Sequence, residues 1–191
     1  MANPGPVSAL IERIRAVREQ DWQDVSGLAL GATAAFAVAV LYYSHHGSRW
    51  VFPLDNANLA FHEFGHPFFG AFNEDLRVYG GTLGQLLFPA ITAIAFWVRR
   101  EAASFAVCLI WFCESLFNIA RYMADARAHE LPLVGGLDPE LYHDWTEIFV
   151  RWHQLNHDTG IAAFVRAMGW LGIAATLLWL TWTWYRQREE D

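Results

Sequence analysis

Long uncharged stretches alternate with short polar segments along this chain. No charged residue occurs in the ranges 26–44, 78–98 and 167–185. Each range is long enough to cross a hydrocarbon core of about 30 Å as a helix. A fourth apolar stretch, 102–120, contains a single charge at Glu114. The pattern predicts an all-α fold, a polytopic membrane helix bundle with about five or six transmembrane helices.

The same pattern predicts the order of the segments. Residues 1–25 mix charge with regularly spaced apolar residues, which is typical of an amphipathic helix lying at a membrane surface. The transmembrane helical domain is expected to cover 26–185, and the tail 186–191 is charged. Within the domain, we expect spans at 26–44, 57–72, 82–98, 102–123 and 160–185, and a polar, aromatic helix at 139–157.

Composition narrows the class of protein. Hydrophobic residues make up 54% of the chain and the formal net charge is -7. An acidic chain offers little to neutralise phosphates, so no nucleic-acid partner is expected. Cys108 and Cys113 lie in one predicted span, which indicates neither a disulfide framework nor a thiolate zinc site. We expect an integral protein of the bacterial inner (cytoplasmic) membrane, with the lipid bilayer and, as an open alternative, a larger membrane complex as partners.

The pattern HExxH occupies residues 62–66, in the short second span. Successive residues of a helix turn by about 100°, so His62 and His66 share one face and Glu63 lies beside them. Two imidazoles in this arrangement can bind one zinc ion, and the carboxylate can take a proton from a metal-bound water. Ionisable groups are costly in a membrane, which favours a functional role. The alternative is a pair of helix-face histidines that hydrogen-bond to neighbours or ligate a haem.

A polar stripe runs down the fourth predicted span. Glu114, Asn118, Arg121 and Asp125 are spaced so that they lie on one face of a helix. Such a stripe is expected to face the bundle interior or a water-filled cavity. Because a zinc site with two histidines needs a third protein ligand, Asp125 is the first candidate. The alternative for Asp125 is an ion pair with Arg121, one turn earlier.

Another candidate ligand lies in the predicted helix at 139–157. His143 could be the third ligand, with Asp144 orienting it, or the pair could form a proton relay near the site. Alternatively, this helix lies at the membrane interface and its polar face meets lipid headgroups. If the metal were bound there, the helix would have to fold back into the bundle.

Three elements, in this order, resemble the site-2 protease family of intramembrane zinc metalloproteases. The first is HExxH at 62–66. The segment 81–85 is similar to the family's GPxxN element, with Thr in place of Pro and Gln in place of Asn. The segment 118–125 is similar to the NxxPxxxxDG element, with Arg in place of Pro and a spacing one residue shorter.

The resemblance implies peptide-bond hydrolysis in or near the bilayer, with a membrane protein or peptide as substrate. Zinc would be held by the two histidines of HExxH and by Asp125, and Glu63 would be the general base. Gln85 or Asn118 could hold the oxyanion by hydrogen bonds. The glycines of 80–84 would form a flexible approach to the third span and suit a backbone that receives an extended substrate.

Two functions without hydrolysis stay open. The chain could be a metal- or haem-binding subunit of an electron-transfer complex, with histidines as axial ligands. It could also be an accessory subunit of a membrane complex with a vestigial metal site. A Soret band on purification would indicate the first, and stoichiometric purification with larger partners but without zinc would indicate the second.

Overall fold

The computed structural model describes residues 5–136, 138 and 142–190, and this part of the chain contains helices and no strand. The expected all-α fold is therefore confirmed. Short 3-10 turns lie at Glu74–Leu76, Val134–Gly136 and Leu155–His157. The α-helices are α1 (Pro6–Arg18), α2 (Gly27–His45), α3 (Leu54–Gly70), α4 (Arg77–Val98), α5 (Ala102–Ala124), α6 (Asp144–Arg151) and α7 (Asp158–Glu190).

Four of the described helices, α2, α4, α5 and α7, are long and apolar enough to cross a membrane. The sequence predicted five or six crossings. The difference arises because α3 has 17 residues and α6 has only eight, whereas a span needs about 20. The segments predicted as a second span and as the 139–157 helix are thus short helices. Residues 139–141 of the latter lie outside the described part of the chain.

The glycines at 80–84 lie inside α4, so the predicted flexible approach to the third span is wrong. Their role is packing. A Cβ atom at Gly80 would lie 2.4 Å from the carbonyl oxygen of Gly65, and one at Gly84 would lie 2.3 Å from that of Phe61. Because the glycines have no side chain, α3 and α4 approach closely. The space beside these glycines is filled by α3.

Gly80→Ala is expected to lower the thermal unfolding midpoint in detergent by several degrees. The new Cβ would overlap a backbone carbonyl of α3, and overpacking of this kind typically costs about 1–3 kcal/mol. Gly31→Ala is the matched control, because a Cβ there meets nothing within 4 Å and Ala is the better helix former. A Gly80→Ala protein as stable as the wild type would contradict the close contact.

The helix α5 lies at the centre and contacts α2, α4 and α7. A three-residue turn joins α4 to α5, so the start of α4 and the end of α5 lie at one end of the bundle, here called the site end. The helix α6 folds back at this end, where Ile148 and Phe149 are fully buried. An apolar cluster joins α4, α5, α6 and α7 and consists of Val78, Ile119, Met123, Ala126, Trp145, Ile148, Phe149 and Ala162.

Candidate metal centre

Two histidines of α3 and one aspartate of α6 converge at the site end. The Nε2 atom of His62 lies 3.0 Å from Oδ2 of Asp144, and Nε2 of His66 lies 3.3 Å from the same oxygen. Among the described residues, these three supply the group of ligating atoms that lie within 4.8 Å of one another. All three side chains are partly buried. HExxH therefore has both histidines on one face, with a carboxylate between them.

Backbone contacts orient the two imidazole rings. The Nδ1 atom of His66 lies 2.9 Å from the carbonyl oxygen of Arg77, at the start of α4. A carbonyl accepts only from an N–H, so Nδ1 carries a hydrogen, and Nε2 faces Asp144 with a lone pair in the neutral ring or with a second proton in the charged ring. The ring of His62 lies against Gly81, where a Cβ would come within 2.5 Å of Nε2. The α3–α4 contact thus holds both rings in place.

Asp144 is positioned by its location in the first turn of α6. His143 caps this helix, since its Nδ1 accepts the backbone N–H of Thr146 at 3.2 Å. The backbone N–H of Asp144 donates to the hydroxyl of Tyr122 on α5, also at 3.2 Å. The buried Trp145, Ile148 and Phe149 anchor the rest of the helix in the core. The His143 cap, the hydrogen bond to Tyr122 and the buried side chains of α6 therefore hold the Asp144 carboxylate against α3.

The histidines also determine the charge state of Asp144. Burial by itself would raise the pKa of this carboxyl, but the hydrogen bonds from His62 and His66 outweigh it and hold the pKa below its ordinary value. Asp144 is therefore an anion at neutral pH. An anionic oxygen is the form that binds a metal ion.

The structure does not bring Asp125, the first candidate for the third ligand, into this group. Its carboxylate accepts the backbone N–H groups of Glu130 and Leu131 at 2.9 and 3.1 Å. Its Oδ2 also faces Nε2 of His143 at 3.4 Å. Arg121, the alternative partner, donates instead to backbone carbonyls.

The other candidate ligand, His143, is buried and packs on the ring of Tyr122. Burial lowers its pKa below the ordinary value, so the ring is neutral at neutral pH. One nitrogen caps α6 and the other faces Asp125. His143 therefore supports the helix that carries Asp144, the residue that sequence reasoning gave only a supporting role.

Glu63 lies next to His62 on α3, and its side chain is exposed to two cavities that meet at the site. The first cavity, of about 620 Å³, lies toward Asp55, Gln85 and Asn118. The second, of about 540 Å³, is lined on its other side by Asp75 and Arg151 among other residues. The two histidines and Glu63 thus stand in the middle of an open groove.

The polar stripe of α5 faces inward, as predicted: Glu114 is buried, and Asn118, Arg121 and Asp125 line the first cavity. Glu114, the first residue of this stripe, accepts a hydrogen bond from Nδ2 of Asn58 at 2.6 Å and shares a side-chain hydrogen bond with Asp55. A hydrogen bond between two carboxyl groups requires a proton on one of them. Asn118 donates to Asp55 at 2.7 Å. This network ties α3 to α5.

Glu114→Gln is expected to fold and unfold like the wild type, whereas Glu114→Ala is expected to be clearly less stable. In the Gln variant, the amide oxygen can accept from Asn58 and the amide nitrogen can donate to Asp55, so no buried group loses its partner. The Ala variant leaves the buried Nδ2 of Asn58 without its acceptor, at a cost of about 1–3 kcal/mol, whereas Asp55 keeps the hydrogen bonds from Val51 and Asn118. Thermal unfolding of the three proteins checks this. Equal losses for Gln and Ala would show that the pair carries no proton.

Gln85 and Asn118, the residues expected to hold an oxyanion, already make hydrogen bonds within the protein. Nε2 of Gln85 donates to Oδ1 of Asn118 at 3.2 Å, and Asn118 donates to Asp55. Tyr122, which sequence reasoning missed, lines both cavities beside His62. No described residue accepts its hydroxyl hydrogen. The sequence contained a signal for this residue, since Tyr122 lies one helical turn after Asn118, on the same side of α5 as the polar stripe.

Comparison with protein-family models, curated proteins and solved structures gives no match to this chain. The function is therefore argued from the site itself.

Proposed function

We propose that this protein is an integral membrane zinc hydrolase that cleaves peptide bonds in or near the bilayer. His62, His66 and Asp144 would hold the metal, and Glu63 would act as general base. The observation that carries the proposal is the convergence of two imidazole nitrogens and one carboxylate oxygen within 4.8 Å, beside an exposed glutamate in a groove. Three protein ligands that leave one position open are typical of catalytic zinc sites.

The spacing of the donor atoms fits zinc. Tetrahedral coordination with bonds of ~2.0–2.1 Å places neighbouring ligand atoms about 3.3 Å apart. The separations from Oδ2 of Asp144 are 3.0 Å to His62 and 3.3 Å to His66. Two imidazoles and one carboxylate are also the ligand types found in zinc hydrolases. Both separations are close to the tetrahedral value, which supports the proposal.

The protonation of His66 supports a cation at this point. Its Nδ1 hydrogen is directed to the carbonyl of Arg77, so a neutral ring presents a lone pair to the carboxylate of Asp144. A lone pair and an anionic oxygen at 3.3 Å repel each other unless a cation lies between them. A metal ion or a second ring proton satisfies both groups, and the backbone contact that orients the ring is typical of metal-ligating histidines.

The catalytic steps would be divided between Glu63 and Tyr122. A bound zinc ion would polarise the scissile carbonyl and make its water more acidic. Glu63 would take the proton of that water and deliver it to the leaving nitrogen. Tyr122 would donate its free hydroxyl hydrogen to the oxygen that becomes negative, because that hydroxyl is fixed beside Asp144.

The shape of the groove favours a polypeptide over a compact substrate. Cavities open from the site in two directions, and both contain His62, Glu63 and Tyr122. A chain cut in the middle needs room on both sides of the scissile bond, and this groove offers it. The site end lies where four apolar helices end or begin, so the substrate would meet the site near the surface of the membrane.

Detergent-purified protein is expected to contain about one zinc per chain, measured by mass spectrometry. Removal of the metal with a chelator should abolish cleavage of a membrane-anchored reporter peptide, and added zinc should restore it. Protein with a Soret band or without stoichiometric zinc would contradict the proposal and favour a haem-binding or accessory subunit.

A further inference from the structure

Three arginines from different parts of the chain meet beside the first cavity. Arg49 follows α2, Arg121 lies on α5 and Arg166 lies on α7. They line a recess of about 110 Å³, here called the arginine recess, together with Ser44, His45 and Phe117. Its charged and titratable groups are the three guanidinium groups and one imidazole.

The lining of the arginine recess contains no carboxylate, although Arg121 acts electrostatically on Asp55 and Glu114 nearby. None of the three arginines makes an ion pair with another residue in the described part of the chain. Arg121 donates only to the backbone carbonyls of Ser48 and Arg49, at 3.3 and 2.9 Å. The buried hydroxyl of Ser44 has no hydrogen-bond partner among the described residues either. The recess is therefore lined by three guanidinium groups and a hydroxyl, with no carboxylate among its lining residues.

The arginine recess adjoins the candidate metal centre. Arg49, Arg121 and Arg166 also line the 620 Å³ cavity that contains His62 and Glu63. The cavity on the other side of the site has two arginines, Arg77 and Arg151, and these are paired with Glu74 and Glu147. The two cavities therefore differ in the pairing of their arginines, and the carboxylates of the first cavity lie outside the arginine recess.

We infer that the arginine recess binds a carboxylate of the peptide substrate, on one side of the bond that is cut. This inference rests on the proposed hydrolase function. Guanidinium groups match the planar carboxylate with paired hydrogen bonds, and the Ser44 hydroxyl can donate one more. A peptide is favoured over a lipid headgroup because the recess opens into the arm that leads to Glu63. The site would therefore prefer peptides with an acidic residue at a fixed distance from the cleaved bond.

Binding to a variant that cannot hydrolyse tests this directly. Zinc-loaded Glu63→Gln protein in neutral detergent is titrated with dansyl-labelled apolar peptides in which a single aspartate is moved along the sequence. Each peptide has a matched partner with asparagine. At one position, the aspartate peptide should bind about tenfold more tightly, since hydrogen bonds to charged groups are the strong ones.

The preference should disappear when Arg166→Gln is added. Arg166 is exposed and makes no ion pair with another described residue. Arg186→Gln is the matched control, because Arg186 lies on the same helix and pairs with Glu190 near its far end. The preference should survive in that control. Equal binding of both peptides at every position, or a preference that survives Arg166→Gln, would overturn the inference.

Two further measurements distinguish this inference from lipid-phosphate binding and from the hydrolase proposal. If phosphatidylglycerol in the micelles binds less tightly after Arg166→Gln while the peptides show no aspartate preference, the recess recognises a lipid phosphate and the inference is overturned. Wild-type protein that cleaves both peptides with equal kcat/KM also overturns it and leaves the hydrolase standing. Wild-type protein that prefers the aspartate peptide but cleaves neither supports the recess and contradicts the hydrolase.

Discussion

Asp144→Asn is expected to remove most of the bound zinc, whereas Asp125→Asn is expected to keep it. Asp144 contributes the anionic oxygen that lies 3.0 and 3.3 Å from the two histidine nitrogens. The neutral amide lacks that charge, and the loss should exceed the ~10–100-fold that removal of a merely supporting residue costs in metal affinity. Asp125 holds the backbone of Glu130 and Leu131, so its variant should affect stability more than metal content.

The measurement is zinc per folded chain, by mass spectrometry on monodisperse protein from gel filtration. His62→Ala with His66→Ala is the reference for a site without metal. This normalisation separates ligand loss from unfolding, which matters because Asp125 is buried. Zinc lost in Asp125→Asn and kept in Asp144→Asn would reverse the assignment. The ligand set implied by the site-2 protease resemblance would then hold.

Glu63→Gln is expected to retain zinc and to lower kcat by about 10²–10⁴-fold, the usual contribution of a general base. Glu63 is exposed in the groove and is not one of the three converging ligands, so the amide should change neither the metal nor the fold. KM should stay close to the wild-type value, because the substitution keeps the size of the side chain.

Zinc content shows whether the metal is retained, and single-turnover cleavage of the reporter peptide at several concentrations shows the changes in rate and in apparent affinity. Glu12→Gln, on the exposed face of α1, is the control for the loss of one carboxylate elsewhere and should cleave normally. Cleavage by Glu63→Gln at the wild-type rate would remove Glu63 from the mechanism, even if the metal were confirmed.

The local periodicity of the sequence determined the positions of the long helices and the faces on which their polar residues lie. The three long uncharged ranges became α2, α4 and α7, and the apolar stretch with its single charge became α5, because a helix of apolar residues needs no information from elsewhere in the chain. Helix pitch alone placed His62 and His66 on one face. The inward orientation of the stripe from Glu114 to Asp125 also followed from spacing, since polar groups avoid an apolar exterior.

Only the tertiary structure decided which carboxylate meets the histidines. Asp125 and Asp144 both lie at ends of helices at the site end, and their local sequence does not distinguish them. Two sets of contacts do so: backbone N–H groups five and six residues after Asp125 bind its carboxylate, and α6 folds back through Trp145, Ile148 and Phe149 and brings Asp144 to α3. The glycines of α4 and the arginine recess depended in the same way on neighbours far apart in sequence. Helical spacing is a local property of the backbone, whereas a ligand from a distant segment depends on the packing that fixes the path of the chain.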